Sequence, residues 1–118
     1  MTLRVLVVED DPLLAFDLAD RLRDCAFTVV GPAATVAEAL KLIEEAGCDV
    51  AVIDVNLGHE TAAPVAARLR TRSLPFVALS GYSANQYPSE FAGAPKLTKP
   101  VDDKSLMAAI RQCMSACA

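Results

Sequence analysis

The sequence predicts an open α/β fold in which helices cover both faces of a parallel sheet, and three observations carry that expectation. Short apolar, β-branched runs alternate along the chain with segments of helical period. The runs are apolar at consecutive positions, as in strands buried on both faces, rather than alternating with polar residues. The connections are short, so each strand returns through a helix, which gives parallel pairing and right-handed crossovers.

Residues 3–8 form the first apolar run, which ends in Glu9, Asp10 and Asp11. Asp11 followed by Pro12 suits a helix start, with the carboxylate as cap and the proline at the first helical position. Leu14, Leu18 and Leu22 then share one face at i, i+4 spacing, the face expected on the sheet. Residues 27–30 read as a short second strand closed by Gly31 and Pro32. Thr35 and Glu38 have the spacing of a capping box, and Val36, Ala39, Leu40 and Ile43 continue it as a helix that stops at Gly47. The central strand is Val50, Ala51, Val52 and Ile53, which end abruptly on Asp54. Asn56, Gly58 and the polar residues after them are expected to form a loop over its carboxyl end.

Val65, Ala66 and Leu69 give a third helix, with Pro64 tolerable only in its first turn and Arg68, Arg70 and Arg72 on or near its solvated side. Pro75 introduces a fourth strand, 76–79, ending at Ser80, Gly81 and Tyr82. Residues 83–95 are the least regular, because Pro88 interrupts them and apolar periodicity is weak, so a fourth helix there is expected to be short or frayed. Residues 96–98 make a brief fifth strand leading to Lys99 and Pro100. Asp102 then caps a last helix in which Leu106, Ile110, Cys113 and Cys117 share a face.

Five such strands fit the flavodoxin-like, doubly wound order 2-1-3-4-5, in which the crevice between the first and third strands receives ligands beyond their carboxyl ends. That topology brings Glu9, Asp10 and Asp54 together, with Ser80 and Lys99 ending the neighbouring strands. The 118 residues read as one domain, 1–118, with no linker, repeat or output domain. With 53% hydrophobic and 22% charged residues the chain is not disordered. A net charge of −4 gives no electrostatic reason to expect nucleic acid as a partner. No apolar run approaches the roughly 18 residues of a membrane span, and the N-terminus turns acidic before a signal-peptide core could form. The expectation is a cytoplasmic protein with no membrane partner. Its four cysteines lack metal-binding spacing and read as reduced, mostly buried thiols.

Four motifs in order, Val7-Val8-Glu9-Asp10-Asp11, Val52-Ile53-Asp54, Leu79-Ser80-Gly81 and Leu97-Thr98-Lys99-Pro100, resemble the receiver domains of two-component response regulators over the whole chain. Val29-Val30-Gly31-Pro32-Ala33, Pro75-Phe76 and Ser80-Gly81-Tyr82 are similar to a subgroup of single-domain receivers, common in alphaproteobacteria, with a threonine-glycine-tyrosine motif on the fourth strand. The resemblance implies a phosphoprotein in which Asp54 takes a phosphoryl group, as an aspartyl phosphate, from a sensor histidine kinase or phosphotransfer protein. It implies Mg²⁺ bound directly by Asp10 and Asp54, mainly through water by Glu9, and by the backbone carbonyl of Asn56. Lys99 would face the phosphoryl oxygens, Ser80 would donate to them, and Gly81 would leave the approach to Asp54 open. The chemistry requires such a set, because a carboxylate attacking a phosphoryl group needs a cation to offset repulsion between two anions.

Other residues read more plainly. Asp11 is a helix-start charge, His59 a solvated loop histidine without a catalytic role, and Met107 and Met114 packing residues. Receiver domains often carry an aromatic residue three positions before the motif lysine, and here that position is Lys96. The expected switch is instead the segment holding Tyr82, Tyr87, Phe91 and Lys96, mobile without phosphate and ordered with it. Output would reach an unidentified downstream protein by altered binding or by phosphorelay, and the chain would catalyse no reaction beyond its own phosphorylation and dephosphorylation. Two other functions compete. A haloacid-dehalogenase-type phosphatase needs a second aspartate where Asn56 stands. A degenerate receiver serving only as a phosphorylation-independent interaction module would not need its acidic residues, Ser80 and Lys99 intact.

Overall fold

The computed structural model describes residues 2–81 and 87–116. Its elements alternate as the sequence predicts: β1 (Arg4–Val8), α1 (Pro12–Asp24), β2 (Thr28–Ala33), α2 (Val36–Glu45), β3 (Val50–Asp54), β4 (Asn56–Leu57), β5 (Glu60–Thr61), α3 (Ala63–Thr71), β6 (Phe76–Ser80), a 3-10 turn (Ser89–Phe91), β7 (Lys96–Thr98) and α4 (Asp103–Ala116). The main sheet has the order β2-β1-β3-β6-β7 with every pair parallel. This is the expected 2-1-3-4-5 arrangement once the two-residue strands β4 and β5 are set apart.

Side chains alternate across a strand, so a run that is apolar throughout feeds two cores. Leu6, Val8, Ile53 and Phe76 face Ile43 of α2 and Leu69 of α3. Val5, Val7, Val52 and Leu79 face Leu18 and Leu22 of α1 with Leu106 and Ile110 of α4. Every residue of β3 and of β6 is buried. The caps form as their chemistry requires. Asp11 accepts from the N–H groups of Leu13 and Leu14, Thr35 accepts from Glu38 N–H, and Asp102 accepts from Ser105 N–H.

The structure departs from the sequence reading in several places. Leu14 is half-exposed, and α1 buries Ala15, Leu18, Ala19 and Leu22. Each i, i+4 step overshoots a full turn by roughly 40°, so Leu14 stands about 80° around the helix from Leu22, and the small alanines let α1 lie close to the sheet. Second, β2 does not close at Gly31 but runs on through Pro32 to Ala33, with its pairing to β1 irregular between Leu6 and Val8. It is an edge strand, where a missing N–H is tolerated. Gly31 has φ +93°, and a Cβ there would lie 2.9 Å from Ala33 N and 3.2 Å from Val7 O, so no larger residue fits this turn of the strand. Third, the loop after Asp54 is a small antiparallel hairpin, β4 with β5, pinned by hydrogen bonds from Val55 N–H to Leu79 O and from Ala62 N–H to Val55 O. The described cysteines follow the expectation of mostly buried thiols: Cys48 and Cys113 are buried and Cys25 is exposed. Burial, helped by the charge of Asp49, pushes the Cys48 thiol up to about 11, so it stays a protonated packing group. Cys117 lies outside the described residues.

The irregular 83–95 region contains, among the described residues, only the 3-10 turn at Ser89–Phe91. It is tied down from α3. Arg70 donates from Nε to Glu90 O at 2.7 Å and also to Ala92 O, with its guanidinium 5.2 Å from the Phe76 ring centre. The arginines of α3 are thus more than a solvated face, since Arg68 and Arg72 both pair with Glu44 of α2.

Candidate functional site

Strand register places the site. Val8 pairs with Ile53, Ile53 with Ala78, and Ala78 with Lys96, so the parallel strands end at one level. One to three residues beyond that level come Glu9 and Asp10, Asp54, Ser80, and Lys99. The edge irregularity of β2 contributes directly, because it presents the Ala33 carbonyl to Glu9 N–H at 2.9 Å. Lys99 is fixed by its own N–H, which donates to Ser80 O at 2.8 Å.

The side chains converge. Carboxylate oxygens of Glu9, Asp10 and Asp54 all lie within 4.8 Å of one another. Lys99 Nζ donates to Glu9 Oε1 at 2.5 Å and to Asp54 Oδ2 at 2.7 Å. The other oxygen of each acid is held by backbone: Glu9 Oε2 by Asp11 N–H at 3.2 Å, Asp54 Oδ1 by Asn56 N–H at 3.3 Å. Glu9 and Asp54 are buried, and only 23% of the Lys99 side chain is exposed. Burial works against the Lys99 charge, but the hydrogen bonds and negative charges of Asp54 and Glu9 outweigh it, and the ammonium is held above the ordinary lysine range. Lys99 is therefore no surface lysine; it is the counter-ion of two buried carboxylates.

The donor set is all oxygen, which suits a hard divalent cation. Three carboxylates facing one ammonium leave two negative charges uncompensated, the charge of one such ion. The residues present fit Mg²⁺. Beside Glu9 and Asp10, a cleft of about 370 Å³ runs along α1 to Phe16 and Arg23. A second cleft, about 350 Å³, lies at the opposite end of the sheet below Arg70, Pro75 and Pro95 and touches none of these groups.

Residues 5–111 match the family model of the response regulator receiver domain. The chain belongs to that family. The solution structure of SdrG from Sphingomonas melonis Fr1 is 39% identical with a TM-score of 0.84, covering 96% of this chain and 97% of that one. A response regulator receiver protein from Sinorhizobium medicae superposes with a TM-score of 0.87 over 99% and 98% of the two chains, at 24% identity, a likeness of fold. The transcriptional regulatory protein PdtaR of Mycobacterium tuberculosis is 31% identical over 116 residues, 95% of this chain and 57% of its own length. The phyllosphere-induced regulator PhyR of Methylorubrum extorquens is 27% identical, over 97% of this chain and 44% of its own length. The chain thus spans about half the length of these curated relatives. Receiver domains generally bind Mg²⁺ and interact with kinases and downstream regulators of two-component signalling.

In this receiver domain the sequence-predicted residues fall into three groups. Glu9, Asp10, Asp54 and Lys99 form one cluster. Asn56 is exposed at the start of the hairpin and touches Asp54 through its N–H, while Gly81 is exposed, and among the described residues a Cβ on it would meet nothing within 4 Å. Ser80 is buried, and its hydroxyl is 2.9 Å from that of Tyr87. Of the expected switch residues, Tyr82 lies outside the described residues. Phe91 is fully buried edge-on to Phe76, so it is a core residue. Lys96 is exposed, donates to Ala94 O, and holds its Nζ 5.2 Å from the Tyr87 ring centre. His59 is exposed in the hairpin turn.

Sequence reasoning missed one surface. Leu13 and Phe16 are 83% and 66% exposed on α1, beside half-exposed Leu14, and Phe16 lines the same cleft as Glu9 and Asp10. The signal was present: Leu13, Leu14, Phe16 and Leu18 occupy more of the helix circumference than one buried stripe needs. Among the described residues, no helix is long and apolar enough to cross a membrane.

Proposed function

We propose that this receiver domain accepts a phosphoryl group on Asp54 from a phosphohistidine of a sensor histidine kinase or phosphotransfer protein, and signals by altered partner binding or by passing the group on. The observation that carries this reading is the Lys99 ammonium bridging Glu9 and Asp54 within a cluster of three carboxylates. An Asp54 oxygen forms the new O–P bond, the N–P bond of the donor breaks, and the imidazole nitrogen leaves with the electron pair. Asn56 N–H and Lys99 hold the two Asp54 oxygens and so fix the direction of attack. Lys99 then exchanges a carboxylate oxygen for a phosphoryl oxygen, and Ser80 donates to another. Asp10, Asp54, the Asn56 carbonyl and, through water, Glu9 would hold Mg²⁺, which would supply the positive charge that offsets the repulsion between the two anions. The chain acts on no other substrate in this reading and works in the cytoplasm.

Wild-type protein incubated with acetyl phosphate and Mg²⁺ is expected to gain the mass of one phosphoryl group, and to gain none in EDTA. No gain under either condition would leave a phosphorylation-independent interaction module. The exposed apolar residues of α1 supply a docking surface for the donor, because Phe16 lines the cleft that reaches Glu9 and Asp10, Leu13 stands exposed on the same helix, and a helical partner can cover both. Phe16→Asp is accordingly expected to slow transfer from a phosphohistidine protein at least tenfold while labelling by acetyl phosphate proceeds as in wild type. Equal slowing of both would place Phe16 in the chemistry instead of the docking.

A further inference from the structure

We propose that Tyr87 is a positioning residue for the phosphoryl site, acting through Ser80; the proposal rests on the phosphoacceptor reading of Asp54. Ser80 is 1% exposed, and among the described residues Tyr87 is the one whose side chain hydrogen-bonds its hydroxyl, at 2.9 Å. A serine hydroxyl has one proton to give and lone pairs to receive. With Asp54 unmodified, either oxygen of the Ser80–Tyr87 pair can be the donor. With a phosphoryl group on Asp54 that freedom ends, because Ser80 must turn its proton toward the anion. Its oxygen is then a buried acceptor in need of a donor, and the phenol proton of Tyr87 fills the need. The result is a directed chain, Tyr87 O–H to Ser80 O–H to phosphoryl oxygen, in which each bond polarises the next.

The placement of the ring supports a positioning role over simple packing. Tyr87 lies against the core residue Phe91, at 6.5 Å between ring centres, and Phe91 lies edge-on to Phe76 of β6 at 5.8 Å. The tilted contact with Phe91, itself held edge-on by Phe76, helps to hold the phenol oxygen where it meets the Ser80 hydroxyl at the end of its strand. The opposite boundary is electrostatic, with the exposed Lys96 ammonium 5.2 Å from the ring centre. Tyr87 thus connects a buried hydroxyl of the site to a charged surface group on β7. That connection needs no aromatic residue at position 96, where the chain has lysine.

The test compares acetyl phosphate labelling rates, with Mg²⁺, of wild type, Tyr87→Phe, Ser80→Ala and the double variant, by intact mass against time. Tyr87→Phe keeps the ring and removes only the hydroxyl. It is expected to slow labelling about three- to tenfold, the scale of one hydrogen bond, and Ser80→Ala by at least as much. In the Ser80→Ala background the same Tyr87→Phe change should alter the rate less than about twofold, since the hydroxyl then has nothing to orient. A merely structural tyrosine would slow both backgrounds alike, and that result overturns the proposal, as does a Tyr87→Phe protein that labels at the wild-type rate. A wild type that takes up no phosphoryl group overturns the phosphoacceptor reading and this inference with it.

Discussion

Asp54→Asn is expected to abolish uptake of a phosphoryl group from acetyl phosphate in the presence of Mg²⁺, while leaving the fold and its thermal transition essentially in place. The amide keeps the size of the carboxylate and can still accept from Asn56 N–H at one end, but it has lost the nucleophilic oxygen. Stability should change little because two effects oppose each other. Lys99 loses one of its two anionic partners, and at the same time a buried negative charge beside Glu9 and Asp10 disappears. Intact mass spectrometry reads the first effect and far-ultraviolet circular dichroism on heating reads the second. A mass gain of one phosphoryl group in Asp54→Asn that matches wild type would remove Asp54 from the role proposed for it. A collapse of the thermal transition would show that the charge is structural rather than chemical.

The fold was legible because each of its strands states its environment in sequence. Val50, Ala51, Val52 and Ile53 are apolar without alternation, and each is buried in the structure on one of the two cores. The strand ends were legible for the same reason: a carboxylate closing such a run has no packing explanation, and Glu9 and Asp54 do lie at one level with Lys99 between them. What escaped depends on the third dimension. Gly31 and Pro32 resemble a turn signal, yet at a sheet edge they continue the strand and deliver the Ala33 carbonyl to Glu9. The hairpin after Asp54 is too short for any period to register, and Glu60 in it accepts from Val36 N–H across to the start of α2, a contact that joins residues far apart in sequence. Tyr87 belongs in the same class. In sequence it is legible only as part of the expected switch segment, because a bond to a hydroxyl seven residues away leaves no mark on the sequence pattern.

Lys99→Ala is expected to destabilise the metal-free domain by about 3 kcal/mol, the lower end of the range for removing one partner of a buried ion pair, since the lysine keeps some contact with water. The two carboxylates it bridges are almost fully covered, so the substitution leaves Glu9 and Asp54 facing each other with their charges unpaired. A divalent cation can replace that charge where an ordinary buffer cannot. Urea denaturation in EDTA should therefore show the full loss, and millimolar Mg²⁺ should recover most of it, more than it adds to wild type, whose lysine already offsets part of the same negative charge. Lys41→Ala is the control: its 4.0 Å pairing with Glu45 is exposed at both ends and its removal should cost almost nothing in either buffer. The same Lys99→Ala protein should still take up a phosphoryl group from acetyl phosphate with Mg²⁺, more slowly, because the nucleophile and the cation ligands remain. A stability loss of equal size with and without Mg²⁺ would mean that the aliphatic stem of Lys99 packs the strand ends and that its charge does not hold the site together.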